Sequence, residues 1–128
     1  DEGLLVPVVH GAEKLGLVDL MLRLKDITER AVGKKLTPAD QEGSTFTISN
    51  LGMYGVESFT SIINQPNSAI LSIAGTKEMP VVRNGEVVIR PIMKMSLTSD
   101  HRVINGLAAA KFMQELKATL ESPLPLLV

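Results

Sequence analysis

Apolar residues recur along this chain with two different periods. From Glu13 to Val32 the positions Leu17, Leu20, Met21, Leu24, Ile27 and Ala31 fall at three- and four-residue steps, which sets them on one face of a helix. Asp19, Arg23, Asp26 and Arg30 occupy the opposite face, and Gly33-Lys34-Lys35 supplies a stop, with glycine as terminator and cations suited to the negative end of the dipole. A second helix is predicted after Asn105-Gly106, where Ala109, Phe112, Met113, Leu116 and Leu120 share a face and Ser122-Pro123 ends the run.

Between these helices the period drops to two. Thr45 to Ser49 alternates polar and apolar β-formers and runs into Asn50-Leu51-Gly52-Met53-Tyr54-Gly55, so Ser49 lies where a strand gives way to a loop. Ser68–Ala74 and Ile92–Leu97 are further strand candidates, and Pro80–Arg83 and Glu86–Arg90 flank Asn84-Gly85, the preferred two-residue hairpin turn. The β-branched run Gly3–Val9 also reads as a strand, at a sheet edge or irregular because of Pro7. One short helical turn is expected at Thr37-Pro38-Ala39-Asp40, a cap followed by a first-turn proline, and another over residues 58–64. No repeat, linker or low-complexity tract interrupts this order, which indicates one α/β domain with helices packed on a sheet. The apolar tail 124–128 is unusual for a chain end and argues for docking against something.

Composition narrows the chemistry. The chain has 128 residues and a net charge of −1, and its halves carry −3 and +2, too little for an electrostatic nucleic-acid footprint. Aromatic residues make up 3%, which disfavours stacking platforms for bases or sugars. Without cysteine, disulfides, zinc-thiolate sites and a thiolate nucleophile are excluded. The two histidines, His10 and His101, lack the spacing of a helical metal site, so no metal is expected. Neither a signal peptide nor a membrane-spanning run is apparent, and a cytoplasmic protein is the expectation.

What remains is Ser99-Asp100-His101-Arg102-Val103-Ile104-Asn105-Gly106, between a strand and a helix. An imidazole placed there suits proton transfer near neutral pH, although a merely structural histidine at a strand end fits the pattern too. Ser49 is a candidate donor to an oxyanion, the alternative being a hydroxyl satisfied within its own loop. His10 carries the same ambiguity with less support.

Asp100-His101-Arg102-Val103-Ile104-Asn105-Gly106 resembles the Asp-His-Arg-x-x-Asp-Gly signature of the dihydrolipoamide acyltransferases, the core components of 2-oxo acid dehydrogenase complexes. Gly3–Val9, Lys35–Pro38, Thr45–Gly52, Ile62–Pro66 and Ala69–Leu71 resemble that family in its order, so the likeness runs over essentially the whole chain. It implies a chloramphenicol acetyltransferase-like fold: a two-layer α/β sandwich of a mixed sheet with helices on one face. It further implies a homotrimer with active sites between subunits, assembled into cages of twenty-four or sixty subunits, and partnership with the 2-oxo acid dehydrogenase and dihydrolipoamide dehydrogenase components.

On this resemblance His101 is the general base for the coenzyme A thiol, Ser49, from a neighbouring subunit, steadies the oxyanion, and Asn105 supports the loop. Coenzyme A is then a substrate, and the acyl group arrives on a lipoyl arm attached outside this chain. Asn105 stands where aspartate is usual, which removes a carboxylate that could stabilise a protonated His101. Residues 49–55 look most like the pyruvate dehydrogenase type, so acetyl is expected over succinyl or branched acyl groups. The compartment implied is the cytoplasm, or the mitochondrial matrix in a eukaryote. The family's catalytic domain runs to roughly 230 residues, beyond the usual single-domain mode of about 100–150. Residues 1–128 therefore match its C-terminal portion, incomplete at the N-terminus. An inactive assembly fragment of such a core is the alternative to an active enzyme.

Overall fold

A computed structural model describes residues 3–127. The chain divides into two compact units, one holding the residues up to Thr45 and those from Gln114 onward, the other Phe46–Met113.

In the first unit, helix α1 (Leu17–Val32) forms where the periodicity places it. The pattern chose its apolar face, but only Ile27 on that face is buried, while Leu17, Met21 and Leu24 stay about half exposed or more. A hydrophobic period determines which side of a helix wants cover; it does not supply the cover. Pro38–Asp40 forms the expected short turn, capped reciprocally by Thr37 and Asp40. The Asp40 carboxylate also takes a 2.6 Å hydrogen bond from Arg30 of α1. Donation by Arg30 and by the backbone and hydroxyl of Thr37 holds that carboxyl far below the usual carboxylate range.

Gly3–Val9, expected as a strand, is not one. Among the described residues it has one backbone hydrogen bond of this kind, from the Val8 N–H to the Asp40 carbonyl at 2.8 Å, and Pro7 has no N–H to offer a ladder. A β-branched run without a neighbouring strand stays irregular. The final short helical turn is Leu124–Leu127, with Leu124 and Leu126 exposed. Val128, the end of the apolar tail, lies outside the described residues.

The second unit is built on a mixed sheet in the order β1 (Thr47–Asn50), β2 (Ala69–Arg83), β3 (Glu86–Ser99). β1 runs parallel to β2, and β3 antiparallel to it. The four strand candidates after Ser68 merge into two long strands, joined at Asn84-Gly85 with both turn residues at positive φ. Pro80 and Pro91 sit within them because, beyond Gly75, the ladder has two strands and each is an edge. The ladder shifts register between Ile73 and Thr76.

Burial follows the strand count. Ala69, Ile70, Leu71, Ser72 and Ala74 are buried in the three-stranded part, and the two-stranded part is largely exposed. Residues 58–64 form no helical turn. They are held across the sheet by a Ser61–Ser72 hydroxyl contact, and the chain just beyond them by Asn67 donating to Thr47. Helix α2 (Gly106–Glu121) follows β3, and its Phe112 packs against Phe46 with ring centroids 5.8 Å apart.

Candidate active site

His101 stands in a turn that two neighbours lock shut. β3 ends at Ser99, and the Asp100 N–H donates to the Ser68 carbonyl at 2.8 Å, which anchors the chain as it leaves the sheet. The Asp100 carbonyl then accepts from Val103 and Ile104 at 3.0 and 2.9 Å, curling the backbone. Its carboxylate takes four donations from Arg102: the backbone N–H at 3.0 Å, Nε at 3.0 and 3.2 Å, and Nη2 at 2.7 Å. The Arg102 guanidinium foremost, and its N–H second, pull the Asp100 carboxyl down to about 2. His101 lies between these two paired residues and is exposed.

The far side of the turn is held by Asn105. Its Oδ1 accepts from the Ala108 N–H at 2.9 Å and its carbonyl from Ala109 at 3.1 Å, so Asn105 is the N-cap of α2. An amide oxygen caps as well as a carboxylate does and brings no charge to the loop. The turn bearing His101 is thus fixed to a strand at one end and a helix at the other.

Ser49 belongs to β1 and is half-buried. It shares a strand face with buried Thr47 and pairs in register with Ser72. Just beyond it the Asn50 side chain accepts from the Gly52 N–H at 2.9 Å, and Leu51 donates to the Ile73 carbonyl at 3.1 Å. Gly52 fits a close approach: a Cβ would sit 3.0 Å from the Ala74 carbonyl oxygen, so the neighbouring backbone would have to give way by a few tenths of an ångström to take a side chain.

The sheet register sets Ser49 apart from the end of β3 that leads to His101. Ser49 lies in the row of Ser72 and Ser96, whereas β3 ends three residues further along, where Ser99 pairs with Ala69. Two strand spacings across and three residues along separate Ser49 from Ser99 by roughly 14 Å between Cα atoms, and His101 follows the latter. His10 belongs to the other unit, where its Nε2 hydrogen-bonds the Ala39 carbonyl at 2.9 Å and its ring lies against Gly43. Among the described residues no group of three His, Cys, Asp or Glu side chains could hold a metal ion. No described helix is long and apolar enough to cross a membrane.

Two features escaped the sequence reading. Glu57 receives Lys94 at 2.7 Å and Lys77 at 3.4 Å, tying its loop to both long strands, and the two ammonium groups lower its pKa. The Ser61–Ser72 pair lies beside Ser49. Both depend on strand register, for which the local pattern carries no signal.

Residues 1–128 match the family described as 2-oxoacid dehydrogenases acyltransferase (catalytic domain). The chain belongs to this acyltransferase family. The solved structure of the Azotobacter vinelandii dihydrolipoamide acetyltransferase (E2p), a study of the role of a serine, a histidine and an asparagine in its catalytic mechanism, superposes with a TM-score of 0.91 at 37% identity. The match covers 98% of this chain and 52% of that one. The cubic core of the pyruvate dehydrogenase multienzyme complex gives a TM-score of 0.92 at 38% identity, with the same coverage. These likenesses show the chloramphenicol acetyltransferase-like acyltransferase fold.

Curated relatives include the acetyltransferase component of the Rickettsia prowazekii pyruvate dehydrogenase complex, 38% identical over all of this chain and 31% of its own length. Another is the mitochondrial succinyltransferase component of the Saccharomyces cerevisiae 2-oxoglutarate dehydrogenase complex, 42% identical over 99% of this chain and 27% of its own. This acyltransferase chain therefore spans about a third of its curated relatives and about half of the solved structures it matches.

Proposed function

We propose that this chain carries the reacting groups of an acyltransferase that moves an acyl group from a lipoyl thioester to coenzyme A. The observation that carries the reading is the His101 turn: an exposed histidine in a turn closed by the Asp100–Arg102 pair and followed by the Asn105 helix cap. Ser49, His101 and Asn105 also stand at the same relative spacing as the serine, histidine and asparagine studied in the Azotobacter enzyme, which supports giving them the same work.

His101, as a neutral imidazole, takes the proton of the coenzyme A thiol. The thiolate attacks the thioester carbonyl, and the Ser49 hydroxyl donates to the oxyanion of the tetrahedral adduct. Collapse expels the dihydrolipoyl thiolate, which recovers the proton from the His101 imidazolium. Asn105 supports the loop without reacting. Since Ser49 lies roughly 14 Å from Ser99, the strand end that leads to His101, the site in this reading is assembled from His101 of one copy and Ser49 of another. This reading includes a homotrimer, its cage assembly, the 2-oxo acid dehydrogenase and dihydrolipoamide dehydrogenase partners, and residence in the cytoplasm or mitochondrial matrix.

Acetyl is the acyl group favoured by residues 49–55, although relatives of similar identity include both acetyl- and succinyltransferases. Initial rates with acetyl-, succinyl- and branched acyl-coenzyme A, run toward the dihydrolipoamide thioester, decide between them.

The test mixes the purified protein with acetyl-dihydrolipoamide and coenzyme A while the particle mass is measured. Formation of acetyl-coenzyme A by an oligomer is expected, and near-normal transfer by His101→Ala would remove that residue from the mechanism. A second reading, an assembly fragment without activity, draws on the chain's spanning 52% of the solved cores. An oligomer inactive at high concentration would establish it.

A further inference from the structure

Charge is nearly absent from the segments that carry the proposed reacting groups. Residues 43–56, which include Ser49, hold no Asp, Glu, Lys, Arg or His. Neither do residues 58–76, the loop and strand base to which the His101 turn is anchored through the Ser68 carbonyl. From 95 to 110, the end of β3 through the first turn of α2, the charged side chains are Asp100 and Arg102 alone, one on each side of His101. The next along the chain are Lys94, paired with Glu57, and Lys111 on α2.

The two flanking charges are spent on each other. The Arg102 guanidinium donates to the Asp100 carboxylate from Nε at 3.0 and 3.2 Å and from Nη2 at 2.7 Å. The same carboxylate takes the Arg102 backbone N–H at 3.0 Å, so one group closes the chain around His101. The Asp100 side chain is 24% exposed and that of Arg102 is 86% exposed. An ion pair so open to water contributes little to stability. What it alters is local: the closed turn fixes the backbone at His101, and two opposite charges beside the imidazole cancel. A base must be neutral to take a proton; a lone carboxylate beside it would favour the imidazolium, and a lone guanidinium would weaken the base. Asn105 leaves this balance undisturbed, whereas a carboxylate at that position would tip it.

We propose that Asp100 and Arg102 are a positioning pair for His101, closing the turn that holds it and leaving it no net charge from its neighbours. Neither residue takes part in the proton transfer. This role deepens the acyltransferase reading given above and rests on it.

The test follows acyl transfer from acetyl-dihydrolipoamide to coenzyme A by the full chain as pH is varied. Arg102→Gln leaves the Asp100 carboxylate unpaired beside His101, so the acid limb of kcat/KM should move up by about 0.5 pH unit. Asp100→Asn keeps an oxygen for the Arg102 N–H but leaves the guanidinium unpaired, so the limb should move down by about as much. At the pH optimum each is expected to lower kcat about threefold with KM for coenzyme A nearly unchanged, and Asp100→Ala, which also opens the turn, about tenfold. In a His101→Ala background none of the three should cost anything further, because the group they serve is gone. Limbs that stay put or move the same way overturn the proposal, as do a rise in KM at constant kcat and an undiminished loss in the His101→Ala background. Arg102→Gln and Asp100→Asn both keep the backbone bond of the turn, so they decide the matter without Asp100→Ala should that variant not fold. Full activity and unmoved limbs in the pair variants beside a crippled His101→Ala overturn this proposal alone. An inactive parent, or a His101→Ala variant of normal activity, overturns the role of His101 and this proposal with it.

Discussion

The two ends of the β2–β3 ladder are made of similar residues and meet different fates. At the base, Ile70, Leu71 and Ala74 are buried, while along the distal ribbon Val82, Val87 and Ile89 are 70%, 74% and 66% exposed. Neither apolar content nor strand propensity separates them. The base has β1 on its second edge and the 56–68 loop bonded across it through Ser61, Asn67 and Val56. Among the described residues the ribbon has two strands and no third. The register shift between Ile73 and Thr76 marks the boundary, and Glu57 spans it by gripping Lys77 and Lys94. An isolated two-stranded ribbon is marginal in water, so its geometry depends on the Asn84-Gly85 turn and on this attachment to the base. Both proposed reacting groups belong to the base: Ser49 on its added strand, His101 just past its end.

The comparison is most sharply tested by activity. His101→Ala is expected to cut acyl transfer by about 10²–10⁴ and Ser49→Ala by about 10²–10³, measured as kcat, with particle mass unchanged. Trimming the tip of the ribbon to a shorter hairpin should leave far more activity than either substitution, and an equal loss would move the working part of the sheet outward. Stability should divide in the same way. Leu71→Ala in the base is expected to cost about 2–5 kcal/mol in urea unfolding. Val87→Ala in the ribbon should cost less than about 0.5 kcal/mol, and similar losses at the two sites would erase the distinction.

At the ribbon tip, Gly85→Ala should destabilise by about 1–2 kcal/mol, because φ of +83° there penalises a Cβ. The smallest expected effect belongs to Asp100. Its carboxyl is held near 2 in the folded chain against about 3.9 when unfolded, so the native state binds its proton less readily. The stabilisation is complete above about pH 4 and fades as pH falls toward 2. Asp100→Asn should flatten this segment of the urea midpoint measured against pH, and an unchanged slope would mean the Arg102 clamp contributes nothing.

Local rules read much of the chain correctly. Helices α1 and α2, the Thr37–Asp40 capping box, β1 and the Asn84-Gly85 hairpin all follow from periodicity, caps and turn chemistry that act over a few residues. Where such rules failed, longer contacts had decided. Gly3–Val9 has the composition of a strand but no strand to pair with, and residues 58–64 give up a helical turn to bond Ser72 through Ser61. The exposed face of α1 shows the same limit, since amphipathic spacing names a face and not its cover.

For the candidate site, the sequence by itself determined the chemical groups: an imidazole in an Asp-His-Arg turn, a serine at a strand exit, and an asparagine ready to cap a helix. These are properties of residue type and short spacing. Tertiary structure alone decided that Ser49 shares a row with Ser72 and Ser96, and that the end of β3 leading to His101 lies in a different row of the sheet. Register and strand order bring together residues distant along the chain, and a one-residue slip would turn the same serine to the other face of the sheet, so no local pattern can encode them.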